Sequence, residues 1–168
     1  LNWAVYENPE STYIRLVTIP LELNYYLPLA YALTKGCGIK VWGNGNKRVA
    51  IVAYGPIMLR EAAKAGEDVQ ADVFNYPWLN WVETRWVLQT LGQYDLVVII
   101  DDHYKLLGLG NIMAAVFGAN RVPNKNTNPK MLLLGLTEIP ACGQNDEVLK
   151  YHGLNSESIT MRIREVRG

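Results

Sequence analysis

LVVIIDDHYKLLGLGNIMAAVF, residues 96–117, decides the fold. Its first five residues, Leu96 to Ile100, are all apolar, a run too short for a globular helix, and β-branched side chains dominate it. A strand that is apolar on both sides must be covered on both faces, as a central strand of a parallel sheet is. Asp101, Asp102 and His103 then mark its carboxyl end. Gly108 and Gly110 lead into a helical stretch, Asn111 to Phe117. In open α/β sheets ligands gather beyond the carboxyl ends of the strands, so Asp101, Asp102, His103, Gly108, Gly110 and Asn111 form the candidate ligand or interface edge.

Working outward, Val49 to Gly66 is the clearest strand–helix unit. Pro56 suits a first helical position, Met58, Leu59, Ala62 and Ala63 form the inner stripe, and Gly66 is expected to stop the helix. A second strand is expected over Val69 to Phe74. Asn80 and Glu83 resemble a capping box for a helix from about Trp81 to Leu91. Met131 to Leu136 reads as another buried strand. Asn145 is expected to cap a short helix, Asp146 to His152, with Gly153 and Leu154 placed for a Schellman stop. The last helix starts near Asn155 or Ser156 and buries Ile159, Ile163 and Val166. Alternating strands and helices predict a three-layer α/β/α sandwich with a mostly parallel sheet of about five strands.

Upstream the pattern loosens. Residues 1–10 read as the last turns of a helix stopped before Pro9, and Thr12 to Ile19 as a strand. Residues 20–38 hold no period, and Tyr25, Tyr26, Leu27 and Leu29 are too apolar for free coil. Ile39 to Trp42 reads as a short strand turning at GNGN, Gly43 to Asn46, a hairpin signal. The chain opens on Leu1 rather than methionine, which suggests a piece of something longer.

The 168 residues are long enough for one full core. Sixteen basic and sixteen acidic residues cancel, so no net field recruits nucleic acid or an anionic membrane surface. No apolar run approaches the roughly 20 residues that span a bilayer. Cys37 and Cys142 lie far apart without metal-like spacing, which suits reduced thiols in a cytoplasmic protein.

Each candidate for chemistry has a plainer reading. Gly108-Leu-Gly110 is part of a dinucleotide fingerprint, but the third glycine is missing, and glycines that let a helix pack closely explain it better. Asp101, Asp102 and His103, with His152 as a distant extra, have the chemistry of metal ligands or a proton shuttle, yet neighbouring strand residues point to opposite faces. They fit better as loop-ordering or interfacial groups. Cys142 precedes a helix whose positive end would favour a thiolate, but no base accompanies it in the sequence. Phe74, Tyr76, Trp78, Trp81 and Trp86 exceed what one face normally buries, so Phe74, Tyr76, Trp78 and Trp81 are candidate interface aromatics.

Taken together, four stretches resemble the C-terminal domain of transketolase-type enzymes: RVAIVAYGPIMLREAAKAG (48–66), DVQADVFNYPWLNW (68–81), DLVVIIDDHYKLLGLGNIMAAVF (95–117) and GQNDEVLKYHGLNSESITMRI (143–163). The resemblance covers residues 47–168. It implies that residues 1–20 are the tail of a preceding pyrimidine-binding domain and residues 21–46 a linker. Family members acting on sugar phosphates often carry a phosphate-binding arginine just after that tail's strand, and Arg15 falls too early for the role. The family's GDG-type magnesium–diphosphate motif has no counterpart. The resemblance therefore implies no catalytic, cofactor or metal residue in this chain, with thiamine diphosphate and magnesium held by other domains of a parent enzyme of ketol or aldehyde transfer. The expected role is domain packing and assembly, as a homodimer or with other domains or subunits, without nucleic acid or membrane. The alternatives are a stand-alone regulatory, small-ligand or nucleotide-binding module, and an independent enzyme using Asp102, His103 or Cys142.

Overall fold

A computed structural model describes residues 2–14, 16–29, 31–45 and 48–168. Arg15 and Asn46, on which two of the expectations above fall, lie outside the described residues, as does Lys47 at the expected domain boundary. Five strands form one sheet: β1 (Ile39–Trp42), β2 (Val49–Ala53), β3 (Asp72–Asn75), β4 (Leu96–Tyr104) and β5 (Lys130–Leu136). Their order is β1-β3-β2-β4-β5. The pairs β3–β2, β2–β4 and β4–β5 are parallel, and β1 adds to β3 as an antiparallel edge.

Alternation along the strands builds the three layers, because successive side chains point to opposite faces. Val49, Ile51, Ala53, Val98 and Ile100 face a core shared with α1 (Pro56–Val69), α4 (Asn145–Tyr151) and α5 (Ser156–Arg167). Ala50, Val52, Val97 and Ile99 face the opposite core, shared with α2 (Thr84–Thr90) and α3 (Leu109–Ala119). The expected sandwich is the observed one. The middle strand, however, is β2; β4 is interior, flanked by β2 and β5. It also runs through Asp101–His103 to Tyr104, because β5 continues alongside it, with an irregularity between Ile100 and Tyr104.

Several boundaries differ from expectation for local reasons. Helix α1 passes through Gly66 to Val69. A Cβ at Gly66 would come 2.8 Å from Val73 Cγ2, so this glycine serves helix–sheet contact. The left-handed stop falls instead on Gln70 (φ 56°), whose Nε2 donates to the Glu67 carbonyl at 2.9 Å. Helix α2 begins at Thr84, with Glu83 itself as the cap, its carboxylate accepting from the Arg85 N–H. Helix α4 is capped by Gln144 and Glu147 rather than by Asn145. Its end is the expected Schellman motif, with Leu154 N–H on the Leu149 carbonyl (2.8 Å) and Gly153 N–H on that of Lys150 (3.1 Å).

The GNGN segment makes no hairpin, since β3 lies between β1 and β2. Gly43 (φ 104°) and Gly45 (φ 83°) do supply left-handed turns, but the Gly45 N–H is held by Asp72 Oδ1 at 2.8 Å, which steers β1 onto β3. Through this pairing β1 becomes the edge strand of the sheet. Upstream, a π-helical turn, Trp3–Glu7, ends before Pro9. The described part of residues 12–19 forms no strand: no neighbouring strand offers a ladder, and Tyr13 and Leu16 stand in solvent. Of the linker apolars, Tyr25 is buried against the domain, while Tyr26, Leu27 and Leu29 are exposed.

Candidate functional site

From β2 the chain moves outward to β3, then returns to place β4 on the other side of β2. The crevice beyond the carboxyl ends of β2 and β4 is thus the topological switch point, the usual ligand position of an open α/β sheet. Tyr54, just after β2, and Asp101, in β4, meet there: Tyr54 OH donates to Asp101 Oδ1 at 3.3 Å. The remaining capacity of the carboxylate is directed at α3. Leu109 N–H donates to Oδ1 at 2.8 Å and Gly110 N–H to Oδ2 at 3.0 Å. Asp101 therefore caps the positive end of α3 from a neighbouring strand.

The two glycines make this cap sterically possible. A Cβ at Gly108 would lie 2.6 Å from Asp101 Oδ2, and one at Gly110 would lie 3.0 Å from Leu133 Cδ2 on β5. The expectation that they serve close packing holds, with a carboxylate as the thing approached. Asp101 is 1% exposed. Burial raises its carboxyl above the ordinary value; the N–H bonds from Gly110 and Leu109, the Tyr54 hydroxyl and the charge of His103 oppose that rise. Burial likewise raises the Tyr54 phenol, aided by Asp101 and Asp102. The pair therefore holds a proton on Tyr54.

Asp102 and His103 stay close enough for their charges to act on Tyr54 and Asp101, each in its own surroundings. Asp102 is half-buried, and His103 is exposed with its ring against Tyr104, the centroids 5.4 Å apart. Asn111 Oδ1 accepts the Leu107 N–H at 2.7 Å and so steadies Leu107 at φ 64°. His152 lies far off in sequence at the end of α4, where its Nε2 accepts the Ala141 N–H at 3.0 Å. Cys142 itself is exposed and free. Among the described residues, no group of three or more His, Cys, Asp or Glu side chains is placed to hold a metal ion.

The aromatic group divides in two. Phe74 and Tyr76 are buried in the core of this chain. Phe74 packs edge-on against Trp86 and Tyr94, and the Tyr76 hydroxyl donates to the Gly36 carbonyl. Trp78 is half-buried under Trp3, at a centroid distance of 5.1 Å, and Trp81 is 51% exposed beneath Lys35. Sequence reasoning missed Tyr54, whose only local signal was its position between the strand and Gly55-Pro56. It also missed Glu61, the buried carboxylate of α1.

Residues 39–159 match the family described as transketolase, C-terminal domain. A protein of Methanocaldococcus jannaschii named "Putative transketolase C-terminal section" is 29% identical over 168 residues, covering 96% of this chain and 49% of that protein. The chain thus spans about half the length of this curated relative. A solved structure titled "Split gene transketolase, inactive beta4 tetramer" superposes with a TM-score of 0.67 at 20% identity, covering 85% of this chain and 45% of that one. At that identity the likeness is one of fold. The match over residues 39–159 spans the whole five-stranded sheet, and the chain belongs to the transketolase C-terminal domain family.

Proposed function

We propose that the chain is the noncatalytic C-terminal section of a thiamine-diphosphate-dependent transketolase-type enzyme. It packs against the domains or subunits that hold the cofactor, and against its own copies. One observation carries the reading: the segment before β1 leaves Val5, Tyr6, Tyr13, Leu16, Leu23, Tyr26 and Leu29 in solvent while staying tied to the domain through Trp3 on Trp78 and Gly36 on Tyr76. Scattered exposed apolar residues are ordinary, but so many along one segment mark a contact surface. The structural neighbour described as an inactive tetramer of a split-gene transketolase gives the same reading a precedent.

The switch-point crevice does not fit a diphosphate. The N–H groups that would receive a phosphate at α3 already serve the Asp101 carboxylate, whose charge would repel one. Thiamine diphosphate and magnesium therefore belong to the partner in this proposal, and the nucleotide-module alternative loses its best location. Reconstitution tests the reading. The chain should form a complex with a section of the same parent enzyme bearing the GDG-type motif, and ketol transfer should appear only in the mixture. Ketol transfer by the chain alone, or failure of the two sections to associate, would overturn it.

A further inference from the structure

The edge of the sheet opposite Asp101 carries a crevice of about 400 Å³ where the amino ends of β2, β4 and β5 meet the last turn of α5. Its cations are Arg48 before β2, Lys125 in the loop after α3, Lys130 at the start of β5 and Arg167 at the end of α5, against one carboxylate, Asp95. In a chain whose charges balance, this is a local concentration of positive charge. A cleft lined by one sign of charge focuses the field and raises the local concentration of counter-ions. We propose that this crevice binds a small phosphorylated molecule through Arg48, Lys130 and Arg167.

The wall is built before any ligand arrives. Lys125 Nζ donates to the carbonyls of Gln93 and Tyr94, at 3.0 Å each, and lies 3.9 Å from Asp95 Oδ1. Its donors are engaged, so it supplies field rather than contact. Asn128 pins the same loop: its Nδ2 donates to the carbonyls of Phe117 and Asn120, and its Oδ1 accepts the Val122 N–H at 3.0 Å. Arg167 spends one N–H on the Val69 carbonyl at 3.3 Å and keeps the rest of its fork. Arg48 and Lys130 are exposed at the rim. Arginine's fork matches phosphate oxygens in pairs, and lysine adds a point charge. Asp95 limits the site to ligands whose charge outweighs its own, which favours phosphorylated molecules over simple monocarboxylates.

Calorimetric titration of the full chain with inorganic pyrophosphate, without magnesium and at low ionic strength, tests the assignment. One saturable site is expected, weakened about tenfold or more by Arg48→Glu or by Lys130→Glu, as loss of a charge-assisted bond implies. Both positions are exposed, so circular dichroism should report intact folds. Arg85→Glu, on α2, should bind as the parent does. An adenosine diphosphate arm separates the sources of the phosphate: tighter binding than pyrophosphate assigns a nucleotide, and equal binding assigns the phosphate group alone. No saturable binding, unchanged affinity in both charge-reversal variants, or citrate binding as tightly as pyrophosphate would overturn the proposal. None of these outcomes bears on assembly with a cofactor-holding section.

Discussion

Burial and hydrogen bonding pull on the Asp101 carboxyl in opposite directions. Burial prevails, so its pKa lies above the ordinary 3.8 even though two backbone N–H groups and the Tyr54 hydroxyl favour the ionised form. The sign of the pH dependence follows. A carboxyl whose pKa is higher folded than unfolded contributes most to stability below its unfolded pKa, and the contribution is lost as pH rises through the folded value. Asp101→Ala should therefore destabilise the domain at every pH, by about 2 kcal/mol near neutrality, because the Leu109 and Gly110 N–H groups are left buried without an acceptor. The gap between parent and variant should widen towards acid. Denaturant titrations at several pH values check this; a gap that widens towards alkaline pH would mean that the hydrogen bonds outweigh burial. The sequence made Asp101, Gly108 and Gly110 visible as a group but not their roles. A carboxylate followed by a glycine pair looks alike whether a ligand or the protein's own carboxylate fills the helix end.

Between elements, the same device recurs on the other face of the sheet. Glu61 of α1 is buried, and its Oε2 accepts the N–H of Ser156, the first residue of α5, at 2.9 Å. Its Oε1 lies 3.1 Å from Arg60 Nε and 3.5 Å from Lys64 Nζ, so the buried charge is paired. Asn155 occupies the N-cap position of α5 yet makes no capping bond with its side chain. Glu61→Ala should thus release α5 before the rest: hydrogen exchange at Ile159 and Ile163 should report about 1–3 kcal/mol less protection, with the amides of β4 much less affected. Equal loss in both elements would show that Glu61 contributes only to global stability. Strand and helix identities were readable because hydrophobic period is a local signal. Glu61 was not, since its partner lies 95 residues away. The pairing of β1 failed for a related reason: Gly43 and Gly45 advertise a turn, but Asp72, contributed by β3, decides where the turn leads.

At the scale of the whole molecule, the aromatic corner and the segment before β1 form one problem. Trp3 covers Trp78, and Lys35 lies over Trp81 at 4.8 Å, so the N-terminal segment already borrows this corner for its own anchorage. Beyond it, Tyr6, Tyr13, Tyr26 and Leu29 remain in solvent. Exposed apolar side chains gathered along one segment favour association, and when a surface meets its own copy the commonest outcome is a symmetric dimer. In the absence of a cofactor-holding partner, the chain is therefore expected to self-associate. Sedimentation over a range reaching tens of micromolar should show a rise in mean mass with concentration. Trp81→Ser removes an exposed ring without opening the core, so it should weaken association while leaving the melting temperature nearly unchanged. Trp78→Ser should do both, weakening association and loosening the Trp3 anchor. A monomer at every concentration, unchanged by either substitution, would confine the aromatics to anchoring the chain's own N-terminal segment.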